Sequence, residues 1–358
     1  MSHSSHRLHD PDTVHHITSR IAHRVYFLEA GERNDLLAII RKAAEFSGVN
    51  LIGWCIMTNH FHLLVHLPPK AELGEEEILR RYAVLKGDGA AKTMAETLAM
   101  WRATGETGEH LAEEWLERQR RRMYDVGEFM KIVKQWFTQD YNNRTSHKGT
   151  LWESAYHDRA VKFAVSDMAR CLAYIHLNPV RAAQSDTFDG YAWSSYAAFK
   201  RGDSLARAGM RFVYGDNVPY DEIASMHEAL LSDVLEFEKL QRAEEIARRR
   251  AIGYETPSDP LTDDALVQQA AAHIEEVKKA SIRLQEERDN ATSRRERNAA
   301  LESGVLAALR VLSTTDAASV AKSIGVSTRT AYRLLKTMAE KRLVEQEGYG
   351  GGWKILSK

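Results

Sequence analysis

The run from Phe61 to Leu67, FHLLVHL, stopped by Pro68 and Pro69, narrows the fold of this chain more than any other feature. A short apolar run bounded by prolines reads as a covered strand, because proline has no N–H to continue a ladder. Side chains alternate along a strand, so His60 and His62 point together and Phe61 turns to the opposite, core-facing side. Val49 to Met57 is rich in β-formers, and Thr58-Asn59 makes a tight corner between the two strands. Before them, Val14 to Arg20 reads as a short strand. Arg33 to Phe46 repeats apolar residues at helical spacing, and Ser47-Gly48 ends that helix. Strand, helix, strand, strand is the opening half of a ferredoxin-like antiparallel sheet, which makes the expected class α+β.

Residues 70–128 change character, with charged helical stretches separated by Gly87, Gly89, Gly105 and Gly108, and read as a helical insertion. Its last stretch, Arg118 to Arg122, is a basic cluster, either a solvated helix face or a phosphate-binding one. A helix from Glu128 to Asn143 and a strand-like segment from Leu151 to Phe163 resume the main pattern. Ser166 and Asp167 are candidate caps for a helix through Met168, Leu172 and Ile175, which Pro179 should end shortly after Asn178. The expected domains are residues 12–200, a helical linker region over 201–299 with a break at Gly253 to Pro260, and a separate unit over 300–358.

Charged residues at 28% and hydrophobic ones at 44% are the profile of a globular protein with cores to bury. The formal net charge of -1 excludes a uniformly basic binder but not a local basic face. Cys55 and Cys171 are too few for a disulfide framework and read as reduced core residues. Neither a secretory signal nor a long apolar span is apparent, so a cytoplasmic protein with no membrane partner is expected.

Two imidazoles held as His60 and His62 are can ligate one divalent cation and leave positions open for phosphate oxygens and water. The pattern alone is more often that of surface or core histidines. Tyr174 and Asn178, four apart, share one face of the later helix. A phenol there can attack a phosphodiester while the Asn178 amide oxygen ligates the same metal, although an isolated helical tyrosine is commonly a packing residue. His66 lies further along the face of His60 and His62 and reads as peripheral, and His176 reads as packing or DNA contact. His3, His6, His9, His15 and His16 are too irregular for a metal site, and the first three read as a terminal tail.

Five segments in order, ITSR (Ile17 to Arg20), MTNHFHLLV (Met57 to Val65), Gly149 to Trp152, YIHLNPVRA (Tyr174 to Ala182) and WSSY (Trp193 to Tyr196), closely resemble the REP-associated tyrosine transposases. These are single-tyrosine HUH enzymes related to insertion-sequence transposases, and the resemblance spans about residues 12–200 apart from the insertion. It implies the ferredoxin-like HUH nuclease fold, Mg2+ or Mn2+ as cofactor, and cleavage of single-stranded DNA beside a hairpin. It implies His60, His62 and Asn178 as metal ligands and Tyr174 as nucleophile. Arg20 and Arg181 are the candidate DNA contacts of this domain. The sequence departs from the family at Thr58, where proline is usual, and at Ala155, where an arginine is common.

A free phenol has a pKa near 10, so its attack needs help in losing the proton. Attack at a phosphodiester would leave a 5′-phosphotyrosine and a free 3′-hydroxyl, and reversal by another 3′-hydroxyl makes the enzyme a strand transferase without ATP. No G-x-x-x-x-G-K-[ST] loop is present. The site can be assembled within one chain or across a homodimer.

Residues 300–312, 315–324 and 327–343 read as three helices with a turn at Gly325-Val326, followed by two short strands around a glycine-rich tip. The order is similar to a winged helix-turn-helix, in which the helix after the turn enters the major groove. Arg329, Thr330 and Arg333, with Ser327 and Thr328, are its candidate duplex-DNA contacts, and Lys336 and Lys354 its phosphate contacts; dimerisation is the other use of such a module. Two further readings compete, a DNA-binding regulator without catalysis and a hydrolase of small phosphoesters, the latter lacking the carboxylates such sites use.

Overall fold

The structure, a computed structural model, describes residues 12–22, 28–256, 259–290, 294–312, 316–346 and 352–356. His3, His6, His9 and the glycine-rich tip around Gly348 to Gly351 lie outside them. The chain divides into two compact units, Met1–Leu235 and Glu236–Lys358. In order, the first holds β1 (Thr13–Arg20), α1 (Ala30–Ser47), β2 (Asn50–Ile56), β3 (His60–Leu67), α2 (Glu75–Lys86), α3 (Asp88–Arg102), α4 (Glu106–Arg120), α5 (Val126–Thr145), β4 (His157–Val161), α6 (Val165–Arg181), α7 (Ser195–Lys200) and α8 (Ser204–Tyr214). The boundary falls within α9 (Tyr220–Ala251). The second unit continues with α10 (Asp264–Asn290), α11 (Arg294–Leu312), α12 (Ala317–Ile324), α13 (Thr328–Glu340), β5 (Val344–Gln346) and β6 (Trp353–Ile355).

The four strands of the first unit form one antiparallel sheet in the order β2-β3-β1-β4. This is the α+β, ferredoxin-like arrangement, with the helices α2 to α4 inserted between β3 and α5. Its two faces follow from alternation. Phe61 is fully buried and meets Trp152 edge-on at 5.8 Å, and the Trp152 indole N–H donates to Lys134 O and Thr138 Oγ1 of α5. On the same face the Arg41 guanidinium of α1 lies over Trp54.

The opposite face, carrying His60, His62, Leu64 and His66, is covered by α6. Gly53 of β2 makes that approach possible, since a Cβ there would stand 2.3 Å from Leu172 Cδ2. Gly209 does the same for α8, where a Cβ would stand 2.0 Å from the carbonyl oxygen of Ile52. Because α8 packs directly on β2, the first unit runs on past residue 200.

Three local expectations are corrected. Ala164, not Ser166 or Asp167, is the N-cap of α6; the side chains of Ser166 and Asp167 lie in its first turn, where Asp167 favours the positive end of the helix. The helix also continues through Pro179 to Arg181. Proline removes the N–H that would reach Ile175 O, and the Asn178 side-chain Nδ2 donates to that carbonyl at 3.3 Å and to Tyr174 O at 2.9 Å. The stretch Leu151 to Phe163 is strand only over His157–Val161; ahead of it, Trp152 makes a single bridge with Ile21.

In the second unit, α11, α12, α13, β5 and β6 share a core of Val305, Leu309, Val320, Leu335, Met338 and Trp353. Gly325 ends α12 in the left-handed conformation, and Ser327 caps α13 through the Thr330 N–H. Among the described residues no helix is long and apolar enough to cross a membrane.

Candidate active site

β3 begins at His60, and its register against β1 sets Arg20 opposite His60 and Thr18 opposite His62. The two imidazoles meet edge to face with centroids 5.0 Å apart. Tyr174 approaches from α6, its ring 5.7 Å from that of His62 and edge-on to it. Tyr174 is 45% exposed, which leaves the phenol open to a substrate while its ring edge is held by the histidines.

His16 completes the group. Its ring stacks on His62 at 5.2 Å and meets Tyr174 edge-on at 5.6 Å, and its Nε2 lies 3.0 Å from His62 Nδ1, with Thr18 Oγ1 at 3.1 Å from the same atom. The irregular spacing of the N-terminal histidines hid this residue. The available signal was its parity with Thr18 and Arg20 on a strand that pairs with β3. His15 faces the other way, onto Asp158.

Burial, with Arg20 adding to it, pushes the His60 imidazole down to about 4. Burial also holds His62 well below its ordinary range, reinforced by His60, His16, Arg20 and Arg181, and lowers His16 to about 4 together with Arg159, against Asp158. All three rings are therefore neutral at neutral pH and keep a lone pair. His60 Nδ1 is 2.7 Å from Asn59 Oδ1, an acceptor, so its proton sits on Nδ1 and the lone pair on Nε2. His62 is engaged at Nδ1, which leaves its Nε2 for a ligand.

Asn178 uses its Nδ2 on the helix carbonyls, leaving Oδ1 one turn beyond Tyr174. Neutral imidazole nitrogens and an amide oxygen are donor types that a divalent cation accepts. Among the described residues no group of three or more His, Cys, Asp or Glu is arranged to hold a metal ion; His16 turns its nitrogen onto His62 rather than towards a shared centre. Arg181 lies with its guanidinium 4.7 Å from the Tyr174 ring centroid and donates to Tyr174 O at 2.7 Å.

The remaining residues of interest are set elsewhere. His66 bonds Asn50 and Asp12. His176 is buried on the far side of α6 in an unbroken polar chain: the Trp54 N–H donates to Ser195 Oγ, Ser195 bonds His176, His176 bonds His227 and His227 bonds Tyr214. The Arg118 to Arg122 cluster is answered by Glu113, Glu114, Glu117 and Glu128, which makes it a charge-balanced helix face. In the second unit, Arg329 and Arg333 are exposed on α13, whereas Thr330 is half-buried and its hydroxyl bonds Ser327. Lys354 is paired with Glu345.

No curated protein matches the chain. A solved structure described as "Structure of the REP associates tyrosine transposase bound to a REP hairpin" is similar at 14% identity over 56% of this chain and 87% of its own, with a TM-score of 0.35, a likeness too slight to argue from. Residues 11–84 match the family model described as "Transposase IS200 like". Over that segment, which contributes β1, β2, β3 and all three histidines of the site, the chain is similar to the IS200-like transposases, enzymes that act on DNA.

Proposed function

We propose that the chain is a metal-dependent single-stranded DNA endonuclease and strand transferase, with Tyr174 as nucleophile and His60, His62 and Asn178 as the residues that hold Mg2+ or Mn2+. The observation that carries the reading is the edge contact of Tyr174 with His62 at 5.7 Å, beside the His60–His62 pair at 5.0 Å. Imidazoles kept neutral by burial suit a cation, and an exposed phenol on a helix held against them suits attack on a phosphorus atom.

In this mechanism the Tyr174 oxygen forms the new bond to phosphorus and loses its proton. The bond to the 3′ oxygen breaks, that oxygen takes up a proton, and the 5′ end stays on Tyr174 as a phosphotyrosine. A cation bound at the site supplies charge stabilisation to the phosphate oxygens. Arg181, beside the phenol, and Arg20, opposite His60, provide fixed positive charge for the backbone phosphates. Attack by another 3′-hydroxyl runs the step backwards and joins strands, with one phosphodiester exchanged for another and no nucleotide consumed.

The substrate in this reading is single-stranded DNA beside a hairpin. The exposed Arg329 and Arg333 at the start of α13, which follows a turn, favour duplex DNA as a second ligand of the C-terminal winged-helix-like module. The experiment is incubation of the full chain with hairpin-bearing single-stranded oligonucleotides and Mn2+ or Mg2+, followed by denaturing electrophoresis. A covalent adduct that is lost in Tyr174→Phe supports the assignment, and an adduct that survives the substitution removes it. Tight hairpin binding with no nicking under any metal favours a non-catalytic regulator.

A further inference from the structure

We infer that β4 and the exposed stripe of α6 form a track for a single strand of DNA, with Arg159 and Arg170 contacting phosphates and Phe163 stacking a base. The inference rests on the reading of Tyr174 as a DNA nucleophile and extends it to residues outside the histidine pair.

The track follows from alternation and helical spacing. Arg170, Tyr174, Asn178 and Arg181 fall on one face of α6, and Arg170 and Tyr174 are exposed. On β4, Arg159 stands opposite His16 in register and its charge is felt by both His16 and Cys171 of α6, so it lies beside the seam between strand and helix. Further along the same side, Phe163 is 56% exposed, yet it is not loose. Its ring meets Phe212 edge-on at 5.8 Å and His66 at 5.6 Å, and Phe212 and His66 pack at 4.8 Å. A large ring held in place with one side open to water is a stacking platform of the kind single-strand binders use.

Charge selects the occupant. Several arginines of this unit are answered by carboxylates, as Arg41 is by Asp203, Arg81 by Glu77, Arg102 by Glu75 and Arg144 by Asp140, and others by aromatic rings or backbone carbonyls, as Arg33 and Arg201 are. Arg159 and Arg170 have no carboxylate partner among the described residues; Asp167, one turn before Arg170, makes no ion pair with it. Two such cations and an open ring flanking an exposed phenol match the alternating phosphates and bases of an unpaired strand. A duplex keeps its bases stacked on one another and offers the ring nothing.

The test measures fluorescence anisotropy of a labelled oligothymidine and of a labelled blunt duplex with the full-length Tyr174→Phe protein, over a range of salt. Adding Arg159→Ala and Arg170→Ala together should weaken oligothymidine binding at least about tenfold and reduce the slope of log K against log salt by about 1.4, roughly 0.7 for each lost phosphate contact. Phe163→Ala and Phe163→Leu should each weaken oligothymidine binding about tenfold with the slope unchanged and duplex binding unaffected. Unchanged melting temperatures verify that these variants fold. An unaltered salt slope in the arginine variant, or equal loss of duplex and single strand in the Phe163 variants, overturns the track while leaving the nuclease reading intact. Failure of the parent protein to bind any single strand removes both.

Discussion

His16 Nε2 lies 3.0 Å from His62 Nδ1, across the β1–β3 pairing, and its ring stacks on that of His62. A hydrogen bond at the inner nitrogen of a ligand imidazole sets which nitrogen carries the lone pair and how the ring is turned. His16 is thus a positioning residue for His62, with Thr18 sharing the same atom.

Replacing His16 by Leu should weaken Mn2+ binding about 10- to 100-fold, the range for loss of such a support, and His16→Gln, which keeps a polar end, should recover part of it. Titration of Mn2+ by electron paramagnetic resonance reads this directly, with adduct formation measured alongside. Equal Mn2+ affinity in His16→Leu would show that the stacking is packing alone.

Asn178 has two duties that can be separated. Its Nδ2 serves the carbonyls of Tyr174 and Ile175 next to Pro179, and its Oδ1 is the proposed ligand atom. Asn178→Ala should lose about 1 kcal/mol of stability and most adduct formation. Asn178→Asp keeps an oxygen but not the donor, so it should lose similar stability while retaining metal binding. Urea unfolding and Mn2+ titration of both variants distinguish the two contributions.

Gly53 sets how closely α6 lies on the sheet. Gly53→Ala should destabilise the protein by roughly 1–3 kcal/mol, the usual cost of overpacking, because the new methyl group meets Leu172. It should also slow adduct formation, since Tyr174 is two residues from Leu172 on the same helix. Thermal melts and a time course of adduct formation test both effects; normal kinetics would mean that Tyr174 is placed by something other than this contact.

The chain of His176 and His227 predicts acid sensitivity. Burial pushes His227 down to about 3 and holds His176 well below its ordinary value, whereas in the unfolded chain each titrates near about 6.5. The unfolded state therefore takes up protons first, so stability is fully present above about pH 6.5 and falls as the pH drops towards 3. The slope is at most about 1.4 kcal/mol per pH unit for each histidine. Imidazole carbon shifts in NMR should show both rings neutral at pH about 5, and a midpoint near 6.5 for either would contradict the buried chain.

Much of the core of the first unit was readable in advance because strand and helix periods are local. The alternation of His60, Phe61 and His62, the helix of α1 and the four-residue spacing of Tyr174 and Asn178 depend only on neighbours in the chain. The path of α6 through Pro179 was not readable, because proline normally ends a helix and the side-chain donor that relieves Ile175 O becomes visible only in three dimensions. For the Arg118 to Arg122 cluster the sequence left a solvated face and a phosphate-binding face both open, and only its glutamate partners in three dimensions make it the former.

By itself, the amino-acid order determined where most strands and helices lie and which side chains share a face, since those depend on backbone periods of two and 3.6 residues. Tertiary structure decided which faces meet. His16 reaches His62 only because β1 pairs with β3, Tyr174 reaches both only because Gly53 lets α6 settle on the sheet, and burial among them keeps the imidazoles uncharged. Contacts between elements distant in sequence leave no period to read, because strand pairing and helix docking are chosen by packing and desolvation of the whole unit.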